Sequence, residues 1–122
     1  KLDFALSLIM KATQKEPKNG YYLDSLGWLN FKLKRFSDAD KYLNQALKLE
    51  PYEPVIHEHL GELKLATGEP DQALRHFENA MSLLEKVPQW RLNADLEWNQ
   101  SKTRVEKRVQ QLRNQALPQG TK

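Results

Sequence analysis

The sequence predicts an all-α solenoid of antiparallel helix hairpins closed by a long C-terminal helix, and three observations carry that prediction. Sliding the chain against itself by 34 residues sets Leu26 on Leu60, Gly27 on Gly61, Ala39 on Ala73, Leu43 on Phe77, Ala46 on Ala80 and Leu49 on Leu83. The opposite slide sets Ala39 on Ala5, Leu43 on Ile9, Ala46 on Ala12 and Pro51 on Pro17. A fixed period of this size marks stacked units that bury their apolar faces only against one another. Within each unit the apolar residues recur every three to four positions, the spacing of a buried helical stripe. Prolines and Gly68 punctuate the gaps between stripes, with Pro51 and Pro54 bracketing the link between units.

Each element follows from this register. With units starting at Gly20 and Pro54, Lys1 falls at the sixteenth position of an earlier unit. Residues 1–19 are therefore read as the second helix, 2 to about 15, of a truncated unit, and the chain as a piece of a longer array. The unit 20–53 opens with a helix from Tyr21 to Leu33, whose stripe is Leu23, Leu26, Leu29 or Asn30, and Leu33. Lys34 and Arg35 make the turn, and Ser37 is the expected N-cap of a second helix running to about Leu49. The unit 54–87 repeats the design with Val55 to Thr67, a turn at Gly68, and a helix from Pro70 or Asp71 to about Lys86. Glycine suits a left-handed C-terminal cap and proline a first helical turn. Gly27 and Gly61 stand mid-helix, where glycine costs up to about 1 kcal/mol relative to alanine. Close approach of the paired helix would offset that cost, with Ala39, Ala46, Ala73 and Ala80 as the expected small partners.

Residues 88–122 depart from the pattern. Pro88 is in register with Pro54, and Trp90, Ala94 and Trp98 continue a helical stripe, but no glycine or proline follows from Gln89 to Ala116. That predicts one continuous helix of roughly 40 Å at 1.5 Å per residue. Beyond Trp98 its apolar residues Val105, Val109, Leu112 and Ala116 form a narrow seam of coiled-coil type. Pro118 and Gly120 are expected to end it in a frayed tail.

Composition bounds the function. At 39% hydrophobic and 29% charged residues, 122 residues make one domain with a modest core. The absence of cysteine excludes a disulfide framework and thiolate zinc sites. No apolar run approaches the ~20 residues of a membrane span. Residues 1–88 hold 12 Lys+Arg against 13 Asp+Glu, whereas residues 89–122 hold 7 against 3, so the basic excess belongs to the terminal helix. A nucleic-acid surface would use Lys102, Arg104, Lys107, Arg108 and Arg113; a solvated polar helix face is the simpler reading. His57 and His59, two residues apart, point to different helix faces and cannot share a metal, and His76 belongs to another helix. Neither a nucleophile motif, a phosphate-binding glycine loop nor a catalytic carboxylate pair stands out. The expectation is a protein that is not an enzyme, with no metal site, no cofactor and no catalytic residues.

At the repeated positions the sequence resembles the tetratricopeptide repeat (TPR) family. At the motif positions the first full unit has Leu23, Leu26-Gly27, Ala39, Leu43, Ala46 and Pro51, and the second has His57, Leu60-Gly61, Ala73, Phe77 and Ala80. It departs at Leu23 and His57 in place of an aromatic, Asn30 and Lys64 in place of a tyrosine, and Glu85 in place of the terminal proline. "DSLGW" and "HEHLGE" resemble bacterial members, some of them envelope lipoproteins and others cytoplasmic scaffolds.

The resemblance implies a TPR-type α-solenoid whose first helices line a concave surface that clasps a segment of another protein. It also implies a capping role for residues 89 to about 100, and a packing position for His57. The TPR register puts Tyr21, Asp24, Ser25, Trp28, Phe31 and Lys32, then Val55, Glu58, His59, Glu62 and Leu65, on the inner surface. The Asn, Lys and Arg of the family's carboxylate clamp are largely absent from these positions. Tyr21, Asp24, Ser25, Trp28, Phe31, Glu58, His59 and Glu62 are therefore the expected partner-binding residues, suited to a segment with Lys or Arg beside apolar anchors. The competing reading confines Trp28 and Phe31 to packing between units. Two other functions stay open. One is a structural or oligomerising role through the C-terminal helix, or through Phe4 and Leu8 or Ile9 at the exposed repeat end. The other is nucleic-acid binding by the basic face.

Overall fold

Helix ends are set by local chemistry that recurs from unit to unit. The computed structural model describes residues 1–116 and consists of helices α1 (Leu2–Lys15), α2 (Gly20–Lys32), α3 (Phe36–Leu49), α4 (Pro54–Ala66), α5 (Pro70–Glu85), α6 (Gln89–Ala94) and α7 (Leu96–Ala116). The expected tail at Pro118 and Gly120 lies outside the described residues. Asn19 caps α2 by accepting from the N–H groups of Tyr21 and Tyr22 at 3.0 and 3.1 Å. Glu53 does the same for α4, accepting from the Val55 N–H at 3.2 Å, with Pro54 in the first turn. The turn after each first helix needs a left-handed residue: Gly68 takes it with φ 77°, and Lys34, 34 residues earlier, takes it with φ 62°. The next residue then donates back to the helix, Arg35 to the Asn30 carbonyl and Glu69 to the Lys64 carbonyl, both at 2.8 Å. Because Lys34 turns the chain this sharply, α3 starts at Phe36 with Arg35 at its cap position and no side-chain cap. Ser37 stands inside the first turn and not before it.

Two apolar clusters form the core. Leu23, Ala39, Leu43, Ala46, Ile56, Leu60 and Leu63 join α2, α3 and α4, and Ala73, Phe77 and Ala80 of α5 join Val105, Val109 and Leu112 of α7. The mid-helix glycines do mark close approach. A Cβ on Gly27 would lie 2.7 Å from Leu43 Cγ, and one on Gly61 2.6 Å from Phe77 Cε1 and Cζ. The group filling each glycine's missing side chain is thus the large residue of the paired helix. Ala39 and Ala46, Ala73 and Ala80 flank that residue one turn away, fully buried, and let the helices close around it.

The expected continuous helix from Gln89 to Ala116 is broken at Asp95, whose φ and ψ are −117° and 97°. The Asp95 carboxylate accepts from the Trp98 N–H at 3.0 Å and so starts α7, a local bond that competes with helix continuation. Short α6 is held by Leu92, 2% exposed, while Trp90, expected in the buried stripe, is 72% exposed. The seam of Val105, Val109 and Leu112 is not a coiled coil but packing against α5; Ala116 is exposed. Among the described residues no helix is long and apolar enough to cross a membrane.

Candidate partner-binding groove

Residues three and four apart share a helix face, and α2 and α4 carry the same triplet of positions 34 residues apart: Asp24 and Ser25 with Trp28, and Glu58 and His59 with Glu62. The fold places both triplets on the walls of one cavity of about 680 Å³, with Leu29 and Val55 as apolar floor and Glu97 and Arg104 of α7 on the third side. Six of the eight expected residues therefore meet. Tyr21, 53% exposed, and Phe31, half-buried against the first core cluster, do not line the cavity.

Trp28 is stacked between two rings. Phe31 lies 4.6 Å away at 9° and His59 4.0 Å away at 13°, and rings this close and this parallel take opposite faces of the indole. Trp28 consequently shows its edge to the cavity, and Phe31 ties the stack to Phe36 at 5.7 Å. The His59 ring is oriented by Asp24, whose carboxylate accepts from Nδ1 at 2.7 Å; the proton is on Nδ1 because a carboxylate only accepts.

The glutamates of α4 are engaged within the chain. Glu58, 4% exposed, accepts from the Ser101 hydroxyl at 2.7 Å and from both Nε and Nη2 of Arg104. Glu62 accepts from Nε and Nη2 of Arg108, each at 2.8 Å. These forked bonds hold both guanidiniums above their ordinary range. Glu58 and Glu62, read from the sequence as open inner carboxylates, thus anchor the terminal helix across the groove. None of Ser101, Arg104, Arg108 and Glu97 is among the expected partner-binding residues; from the sequence, Arg104 and Arg108 are candidates only for a nucleic-acid surface. The signal that could have found the arginines is a matched ladder: two carboxylates four apart on α4 and two arginines four apart on α7. The same pairing bears on the nucleic-acid reading, because Arg104, Arg108 and also Arg113, 2.9 Å from Glu78, already hold carboxylates.

Around the groove, Glu53 accepts from the Trp98 indole N–H at 3.0 Å, and burial raises its carboxyl above the usual range. His57 occupies the packing position expected of it. Its Nε2 donates to the Pro51 carbonyl at 3.2 Å and its ring lies 5.9 Å from that of His76. Burial lowers both histidines, His76 to about 4. Among the described residues no group of three or more His, Asp or Glu could hold a metal ion.

Stacked helix hairpins with an inner groove define an α-solenoid repeat protein. No family model matches the sequence. Over 58 residues, 48% of this chain, it is 43% identical to a TPR repeat-containing protein of Pseudomonas aeruginosa, and spans about a tenth (10%) of that relative's length. A TPR protein of Thermus thermophilus has a similar structure, with a TM-score of 0.69 at 28% identity over 88% of this chain and 50% of its own. The Yersinia enterocolitica type III secretion chaperone SycD, in complex with a peptide of the translocator YopD, has a TM-score of 0.80 at 17% identity over 94% of this chain and 82% of its own. In sequence over that stretch, and in fold, the chain is similar to tetratricopeptide repeat proteins.

Proposed function

We propose that the protein is a non-catalytic scaffold that holds a segment of a partner protein in the cavity between α2, α4 and α7. The observation that carries this reading is the cavity's make-up: an apolar floor and the Trp28 edge beside four lining carboxylates, Asp24, Glu58, Glu62 and Glu97, with Arg104 as the cationic side chain of the lining. A segment with an apolar anchor and a lysine or arginine complements it. Asp24 and Glu97 would meet the partner's cation, Ser25 and His59 would donate or accept along its backbone, and Tyr21 would extend the rim. Phe31 would support Trp28, and Glu58 and Glu62 would act by fixing α7 as the far wall. The likeness in fold to a chaperone solved with a peptide supports a groove of this kind.

The test uses a partner captured with this chain as bait and titrated against variants. Trp28→Ala should weaken binding by about 2 kcal/mol or more, roughly thirtyfold. Glu97→Lys should chiefly slow association and reduce its dependence on salt. Both variants must remain folded at the titration temperature, checked by circular dichroism, because removing the stacked Trp28 ring lowers stability by itself. Unchanged affinity in both would place the working surface elsewhere.

A further inference from the structure

The lining carboxylates of α2 and α4 are each met by a donor from the next helix along the groove, and the donors differ in what they leave free. Glu58 receives Nε and Nη2 of Arg104, and Glu62 receives Nε and Nη2 of Arg108. Asp24, which stands 34 residues before Glu58 at the same place in its unit, receives Nδ1 of His59 at 2.7 Å instead. A guanidinium carries donors only, whereas a neutral imidazole with its proton on Nδ1 keeps a lone pair on Nε2. Trp28 covers one face of that ring at 4.0 Å, Asp24 takes the Nδ1 edge, and His59 lines the cavity, so the Nε2 edge is what the ring offers to an occupant. The buried ring nitrogens without a partner among the described residues are Nδ1 of His57 and of His76, so Nε2 of His59 is not sealed as they are. Glu97, on the opposite wall, takes part in no ion pair among the described residues.

We propose that the cation received by the groove is an arginine side chain of the partner segment, that His59 Nε2 is one of its acceptors, and that Asp24 is the positioning residue that holds the ring in the accepting tautomer. The inference rests on the groove reading above and sharpens it, because it assigns His59 to the cation. Acceptors stand on two walls of the cavity: His59 Nε2 and the second oxygen of Asp24 on one side, Glu97 on the other. A guanidinium spreads its donors over three nitrogens in one plane and reaches both walls, whereas the three donors of an ammonium radiate from a single atom. With the proton on Nε2 instead, His59 would point an N–H at the guanidinium. The bond from Nδ1 to Asp24 prevents that, since a carboxylate only accepts.

The probes are the acetylated, amidated tripeptide Leu-Arg-Leu and its twin Leu-Lys-Leu, titrated at about pH 8, above the ordinary range of a histidine. Nitrogen NMR of the His59 ring and the indole N–H of Trp28 report the result. The free protein should show the proton on Nδ1 and the lone pair on Nε2. The arginine peptide should shift Nε2 and the Trp28 signal saturably and bind at least about fivefold more tightly than the lysine peptide. His59→Gln sets an amide oxygen at the place of Nε2 and should keep that preference; His59→Asn, which reaches only the place of Nδ1, should lose it. Both lose the ring stacked on Trp28, so their difference reads the acceptor alone. Asp24→Asn should populate the other tautomer and reduce the preference, whereas a purely electrostatic role for Asp24 would weaken both peptides alike. A proton on Nε2 in the free protein, or His59→Gln and His59→Asn proteins that behave alike, would overturn the proposal. Equal binding of the two peptides with saturable Trp28 shifts would overturn it and leave the groove reading standing. Silence of Trp28 with both peptides up to roughly 10 mM would overturn it too, and the groove reading is then judged separately by Trp28→Ala and Glu97→Lys on the captured partner.

Discussion

Replacing Gly61 with alanine sets two physical effects against each other, and the sign of the result separates them. Helix propensity alone makes alanine the more stable residue at an interior position by up to about 1 kcal/mol. Packing opposes it, because the new Cβ would lie 2.6 Å from Phe77 Cε1 and Cζ and 2.8 Å from Cδ1, closer than any ordinary contact. The ring has nowhere to retreat: Phe77 is 0% exposed and clustered with Ala73, Ala80, Val105 and Val109, so moving it pushes α5 or α7. Overpacking of this kind costs about 1–3 kcal/mol. Because the buried ring cannot yield, the upper part of that range, about 2–3 kcal/mol, applies; less the propensity gain of about 1 kcal/mol, Gly61→Ala should lose about 1–2 kcal/mol, read as a fall of roughly 3–10 °C in melting temperature for a chain of this size. Thermal and urea unfolding followed by circular dichroism measure it. A double-mutant cycle with Phe77→Leu supplies the control. The smaller side chain should cost stability by itself but leave room for the methyl group that Gly61→Ala adds, giving a coupling of about 0.5 kcal/mol or more. A Gly61→Ala protein that melts at or above the parent, or two changes that simply add, would refute the close-contact account of the glycines.

Removing Glu58 leaves the fully buried Ser101 hydroxyl without its acceptor and releases Arg104, so Glu58→Ala should cost about 1–3 kcal/mol in urea unfolding. Glu62→Ala, whose pair with Arg108 is partly solvated, should cost less than about 1 kcal/mol; equal losses would contradict the ranking by burial. Acid should destabilise the fold through His57 and His76. Burial lowers both in the folded state, His76 from 6.5 to about 4, so the unfolded chain binds more protons in that window. Their contribution is present above about pH 6.5 and is lost as pH falls towards 4. His76→Gln should flatten the fall in urea midpoint between pH 7 and 4.5, and an unaltered slope would remove His76 from the explanation.

The sequence by itself determined the period, the helix hairpins and the pairing of each first helix with the second. These rest on contacts between neighbours in the chain, so residues such as Leu26, Gly27, Leu43 and Ala46 carry the signal locally and repeat it. It also determined that Asp24, Ser25, Trp28, Glu58, His59 and Glu62 share one surface, because identical register in stacked units puts them on equivalent faces. Only the tertiary structure decided what those residues touch. The break at Asp95 depends on one carboxylate preferring the Trp98 N–H to a continued helix, a choice between two local bonds that composition cannot rank. Trp28 became the middle of a stack because Phe31 and His59 reach it from two different helices. Glu58 and Glu62 were drawn from the open groove into ion pairs because α7 folds back along α5, bringing Arg104 and Arg108 from 46 residues away in the chain. A charge in a sequence has no partner until the chain's path fixes one, and desolvation then makes that partner obligatory at Glu58 and only favourable at the more exposed Glu62.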